Sequence, residues 1–224
     1  VTATDSANVV MVDAHLPASA LDSYTLHEDT TVGVPMPSLR GAIRRARMHT
    51  NDTLEVSISP DELRTTVSRD SMVTTDATRL IDPDSIREDP NLPSIRESDD
   101  FNYDWVTFEV DRFAEGVDHV LDATEYVRFA SEDEQFVMES ESDITTSGVR
   151  YEDIQPENDF AALFSGDYMS DIVTAAKKTR ADSATVWTAD EAPVFIDIER
   201  ETDEGTALET SFMLAPRVTN SDRV

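Results

Sequence analysis

Apolar positions along the chain change period several times, and each change marks an element. In residues 53–59 (TLEVSIS), Leu54, Val56 and Ile58 alternate with polar residues, the period-2 signature of a strand with one wet face. Residues 62–68 and 72–80 read the same way, with turns at Asp61 and at Arg69, Asp70 and Ser71. Just before them, residues 37–50 (PSLRGAIRRARMHT) switch to a period of 3.6. Arg40, Arg44 and Arg47 fall at i, i+4 and i+7 on one helical face, and Leu39, Ile43 and Ala46 fall on a neighbouring face suited to a core. Upstream, residues 1–12 form a β-branched strand region broken by a turn at Asp5–Asn8, and residues 20–25 and 31–34 read as short strands.

Residues 81–95 (IDPDSIREDPNLPSI) break the pattern. Three prolines, scattered charge and isolated Ile86, Leu92 and Ile95 predict an extended connector without regular structure. Beyond it, Phe113, Val117, Val120 and Leu121 predict a helix over 110–126 behind a strand at 105–110. Strands follow at 126–130, 135–140, 144–151 and 160–164. A second helix over 168–179 buries Met169, Ile172, Val173 and Ala176 and ends in Lys177, Lys178 and Arg180. Strands at 184–188, 194–199 and 208–214 close the chain. Residues 36–80 and 169–214 thus repeat one order (helix, strand, strand, strand, apolar exit), and both helices carry basic stripes, the second within the acid-free stretch between Asp171 and Asp182. The class is α+β.

Composition sharpens this. The chain has 224 residues, 18 Lys+Arg against 47 Asp+Glu, and a formal charge of −29. All the cations but Lys177 and Lys178 are arginine. Acid excess with lysine depletion is the pattern of a protein adapted to molar salt, where a Debye length of about 3 Å makes self-repulsion tolerable. Charge is uneven: residues 1–81 carry 7 basic and 11 acidic groups, net −4, and the remainder is net −25. An acid-free window over residues 31–51 in such a chain marks the first helix as a cationic stripe for a polyanion. There is no cysteine, hence no thiolate chemistry, and no Gly-rich phosphate loop. No apolar run reaches the roughly 18–20 residues of a membrane helix. The expected location is the cytoplasm, with no membrane partner, no cofactor and no metal.

Four stretches resemble a known family, the sliding clamps of the proliferating cell nuclear antigen type, above all haloarchaeal ones. LIDPDSIREDPNLPSI (80–95) is similar to that family's interdomain loop and FMLAPRV (212–218) to its C-terminal strand. TDSANVVMVDAHL (4–16) resembles a strand and loop of its first domain, and DYMSDIVTAAKK (167–178) its last inner helix. The resemblance implies two similar clamp domains, 1–81 and 98–224, joined by a connecting loop at 82–97. Helices would lie inside curved antiparallel sheets, and three subunits would close head to tail into a homotrimeric ring around duplex DNA. The family's opening strand, helix and strand, roughly 35 residues at ordinary element lengths, have no counterpart in this chain.

The implied activity is not enzymatic: a polymerase processivity factor for replication and repair that tethers DNA polymerase, clamp loader, ligase and nucleases through short peptides. The DNA-facing residues would be Arg40, Arg44, Arg45, Arg47, Lys177, Lys178 and Arg180, contacting phosphates without reading sequence. Arg45 lies off the shared stripe, where it could reach a neighbouring subunit. The partner-peptide residues would be Asn8, Val9, Met11, Ile86, Leu92, Pro193, Leu214, Ala215 and Pro216, with apolar anchors in a pocket and backbone pairing at the C-terminal edge. Subunits would pair through residues 72–80 of one and a strand near 144–151 of the next.

Two other classes compete with this reading. Acid pairs such as Asp99-Asp100 or Glu132-Asp133-Glu134 could hold Mg²⁺ in a metal enzyme, but charge runs are ordinarily solvated faces and no acid or histidine has ligand spacing on one element. The other is a clamp-like partner-binding or decoy protein that does not encircle DNA. The predicted 110–126 helix keeps that alternative open, because Asp111, Glu115, Asp118 and Asp122 outnumber Arg112 where related clamps tend to be basic.

Overall fold

The computed structural model describes residues 1–5, 7–46, 52–86, 92–97, 100–142, 144–202 and 205–217. The strands are β1 (Thr2–Thr4) and β2 (Val10–His15), then after helix α1 (Met36–Ala46) β3 (Thr53–Ile58), β4 (Glu62–Arg69) and β5 (Met72–Arg79). Helix α2 (Leu92–Arg96) precedes β6 (Asp104–Glu109), α3 (Val110–Leu121), β7 (Tyr126–Glu132), β8 (Gln135–Glu141), β9 (Thr146–Tyr151) and β10 (Ala161–Ser165). Helix α4 (Gly166–Thr179), β11 (Ser183–Thr188), β12 (Val194–Thr202) and β13 (Gly205–Leu214) complete the order.

Contacts divide the chain into two compact units, residues 25–88 and residues 1–24 with 89–224. The cut between 88 and 89 falls inside the connector expected at 82–97, and the difference lies at residues 1–24. Residues 1–24 join the later part because β2 pairs with β13 along its whole length, Val10 opposite Leu214 and His15 opposite Glu209.

The larger unit holds a six-stranded sheet, β1-β2-β13-β12-β11-β6, and a four-stranded sheet, β10-β7-β8-β9. Helices α3 and α4 pack on one another. One apolar cluster joins them to both sheets: Phe113, Val117 and Val120 of α3 and Met169, Ile172, Val173 and Ala176 of α4 meet Phe108, Phe129, Phe136, Phe164, Ile196, Ile198 and Leu214. These are the positions the 3.6 and 2.0 periods predict. The unit repeats strand, helix and three strands twice, and each repeat's leading strand pairs with the other repeat: β6 lies beside β11, and β10 beside β7.

The smaller unit carries α1 on a three-stranded sheet, β3-β4-β5. Its order matches α4 followed by β11, β12 and β13, so the repeat over 36–80 and 169–214 is structural. Its interior is slight: Ala42 of α1 over Leu63 and Val67 of β4. An ion pair in which Arg69 reaches both Asp52 oxygens (2.9 and 2.6 Å) and the Arg45 carbonyl (3.1 Å) ties the sheet to the end of α1.

Four elements differ from expectation. The residues expected as strands at 20–25 and 31–34 lack a ladder partner, and only Gly33 bridges, to Ile81. A 3-10 turn at Ala18–Ala20 stands before them. The connector is not wholly irregular: it holds a 3-10 turn at Pro83–Ser85 and the helix α2. Pro83 and Pro93 occupy first turns, where a missing N–H leaves no helical bond unmade. Helix α3 stops at Leu121, because Tyr126 already belongs to β7. On α1 the buried line runs through Ala42, and Ile43 is 38% exposed.

Candidate docking groove and basic helices

Alternation along strands sends Leu214, Ile196 and Val186 toward α3 and α4, so their neighbours Met213, Phe195 and Trp187 occupy the other face of the six-stranded sheet. Register sets them side by side across the strands: Met11 opposite Met213, Met213 opposite Phe195, Phe195 opposite Trp187, and Trp187 opposite Trp105. Leu92 of α2 lies on the first three, with Ile95, Tyr103 and Trp187 packed around them.

Polar contacts fix the rim. The Tyr103 hydroxyl donates to the Pro193 carbonyl at 2.9 Å while its ring meets Phe195 edge-on at 5.3 Å. Burial pushes that hydroxyl up to about 12, so it stays a donor at neutral pH. Arg96 donates to Asp197 Oδ2 at 2.7 Å and its guanidinium lies 4.4 Å from the Trp187 ring centroid. Trp187 Nε1 donates to the same oxygen at 2.9 Å.

The β1–β2 turn is held by Asp5. Its carboxylate accepts from the N–H groups of Ala7, Val9 and Val10 and from the Tyr168 hydroxyl of α4. Burial alone would raise this carboxyl, but the Val10 N–H, the Tyr168 hydroxyl and the Val9 and Ala7 N–H groups together hold it below the usual carboxylate range. The turn places Asn8 at a φ of 56° and leaves it exposed, and Val9 accepts from the Ala215 N–H at 2.8 Å.

Of the residues expected to bind a partner peptide, the structure gathers Met11, Leu92 and Pro193 at this cluster, the candidate groove, where Leu92 covers Met11, Phe195 and Met213, and it pairs Val9 with Ala215 beside Asn8. Pro216 follows, partly buried. Leu214 is not in the groove: fully buried, it faces the helices, one residue out of phase. Ile86 belongs to the smaller unit, 43% exposed, with its Cδ1 against Gly33. Phe195, Met213 and Tyr103 were missed from sequence. The alternation of 194–199 and 208–214 was visible, but only register shows which parity faces the groove.

Among the basic residues, Arg40 and Arg44 are exposed on α1 and make no ion pair among the described residues. Arg45 is different: it pairs with Asp76 of β5 in the same chain, so it does not reach outward to a neighbour. Arg47 lies outside the described residues. On α4, Lys178 and Arg180 are exposed, whereas Lys177 donates to Asp118 of α3 at 2.9 Å. Arg180 caps α4 in the left-handed region, φ 55°. The exposed stripe of α3 is acidic, Asp111, Glu115, Asp118 and Asp122. Arg112 is paired to Asp153, which raises the guanidinium and lowers the carboxyl through their hydrogen bonds.

Comparison with known structures gives the fold. The chain is similar to the A. fulgidus PCNA solved with the C-terminal region of FEN-1 bound, at a TM-score of 0.78 and 22% identity over 98% of this chain and 85% of that one. PCNA from Thermococcus kodakaraensis aligns at a TM-score of 0.72 and 17% identity over 96% of this chain and 85% of that chain. No family model matches the sequence. Curated relatives do: "DNA polymerase sliding clamp" proteins of Natronomonas pharaonis and of Haloarcula marismortui are each 29% identical over 225 aligned positions, spanning 97% of this chain and 85% of theirs. That of Methanocella arvoryzae is 26% identical over 96% of this chain and 84% of its own. The fold is therefore that of the DNA clamps. Along nearly its whole length the chain is similar to sliding clamps.

Proposed function

We propose that this chain is a DNA polymerase processivity factor, a non-enzymatic clamp that encircles duplex DNA inside the cell and tethers replication and repair enzymes. The observation that carries it is the placement of two helices with exposed basic residues, α1 (acid-free) and α4 (basic at its C-terminal end), at the same position of one repeated helix-and-three-strand unit. Arg40, Arg44, Lys178 and Arg180 are the phosphate contacts this supports, without sequence preference, and Lys177 contributes less because Asp118 neutralises it. The groove of Met11, Leu92, Phe195 and Met213, with the Asn8–Val9 turn and Ala215 beside it, takes the interaction peptides of polymerase, clamp loader, ligase and nucleases. The relatives' shared name, and the FEN-1 segment seen on the A. fulgidus clamp, support that use.

Two clamp domains meeting in the connector at 82–97, and a ring of three copies closed by β5 of one against β9 of the next, complete the reading. Both strands end their sheets among the described residues. Light scattering in molar KCl tests the ring. A mass three times the 24.9 kDa chain is expected, and a clean monomer refutes it. One observation favours a second reading, a clamp relative that binds partners without encircling DNA: the acidic stripe of α3, which also takes up Lys177. A monomer that still captures interaction peptides selects that reading.

A further inference from the structure

We propose that Trp105 and Trp187 extend the groove into a second subsite that takes a lysine or arginine side chain of the docking peptide. The proposal rests on the groove being the peptide site. Both tryptophans of the chain stand together here, opposite one another on β6 and β11, with ring centroids 6.0 Å apart and planes at 41°. They continue the row of Met11, Met213 and Phe195. Those three are nearly sealed under Leu92, whereas Trp105 is 58% exposed on the outermost strand of its sheet. An apolar row that opens to solvent on a large aromatic, in a chain of mean hydropathy −0.40, has the composition of an interface hot spot.

The cationic preference follows from what already sits on the row. Arg96 lies over Trp187 and pairs with Asp197, so this face already stacks a guanidinium beside a carboxylate. No described cation covers Trp105. An indole face attracts cations through its quadrupole at contact range. In molar salt, long-range attraction to a chain of charge −29 is screened within about 3 Å, which leaves contact-range recognition to discriminate. Spacing gives the register of the peptide. Met213 to Trp105 is three strand steps, ~14 Å at ~4.8 Å per step, spanned by four or so extended residues at ~3.3 Å each. The chain's own α2 does this in miniature, with Leu92 on the apolar end and Arg96 over Trp187.

Because both tryptophans lie in the subsite, intrinsic fluorescence reports it directly. The probe is a synthetic peptide of the C-terminal region of FEN-1 carrying one arginine placed four residues beyond its apolar anchors, and the same peptide with glutamine there. Binding to the full chain is titrated in molar KCl by calorimetry and by tryptophan emission. The arginine peptide is expected to bind wild type roughly two- to five-fold more tightly than it binds Trp105→Ala, with Trp105→Phe between them, while the glutamine peptide binds all three alike. Equal binding of the arginine peptide to wild type and Trp105→Ala overturns the subsite and leaves the groove standing. Failure of both peptides to bind wild type overturns the groove, and the subsite with it.

Discussion

Gly116 sits in the middle of α3, where alanine would ordinarily be the better helix former by about 1 kcal/mol. Here the reverse is expected. A Cβ at 116 would fall on the Tyr151 hydroxyl, with Met138 Sδ 3.1 Å and Tyr151 Cζ 3.2 Å away. Tyr151 cannot swing aside. It is 3% exposed, its ring lies 5.0 Å from Phe108 and 6.1 Å from Phe136, and its hydroxyl donates to the Arg112 carbonyl at 3.3 Å. Overpacking costs about 2 kcal/mol. Stranding a buried hydroxyl, which burial pushes up to about 12 and so keeps protonated, adds about 2 kcal/mol more. Set against the helix gain, Gly116→Ala should destabilise the larger unit by about 3 kcal/mol, a drop of roughly 6–12 °C in its melting temperature. Thermal unfolding by circular dichroism in molar KCl measures it. Tyr151→Phe removes the hydroxyl that a Cβ would strike, so the double variant should recover most of the loss relative to Tyr151→Phe alone. A Gly116→Ala protein melting at or above wild type, or a double variant whose losses simply add, refutes the reasoning.

Three further outcomes are expected. Asp5→Asn should be less stable than wild type at pH 7. The carboxyl's folded-state value lies below its ordinary 3.8, so the stability it confers is in place above that value and disappears as pH falls through the lower, folded one; acid titration of unfolding should show the gap closing below about pH 3.8. Arg40→Gln and Arg44→Gln should each flatten the salt dependence of DNA binding by about 0.9 in log–log slope, while Arg45→Gln, at a position where Asp76 pairs the charge, should leave the slope unchanged in a filter or fluorescence titration. Met213→Ala should weaken capture of a FEN-1 C-terminal peptide in calorimetry while the light-scattering mass stays as in wild type; undiminished capture would remove Met213 from the groove.

Much of the architecture is local, and the sequence by itself determined it. The period-3.6 face of Met169, Ile172, Val173 and Ala176, the period-2 runs around Val56 and Val186, and the turn at Asp5–Asn8 need only neighbours a few residues away. Family resemblance was legible for the same reason, since motifs such as FMLAPRV are contiguous. The acid-free stretches marked α1 and the C-terminal end of α4 without any coordinates, because charge is a property of the residue list.

The tertiary structure decided what depends on pairing over long distances. Which parity of β13 faces the groove is a one-residue question that no pattern answers. Leu214 and Met213 are both apolar, and only the ladder with β12 and β2 turns Met213 outward. Burial on Met11, Phe195 and Met213 places Leu92 and makes a helix of LPSIR, where three prolines and charge argued for extended chain. The fate of a cation is likewise set by what folds beside it. Arg45 and Lys177 read as free charges in sequence, yet strand β5 brings Asp76 to one and helix α3 brings Asp118 to the other. The pairing of β2 with β13 is the clearest case. It joins the first residues of the chain to the last strand through hydrogen bonds between segments some two hundred positions apart, which no local period encodes.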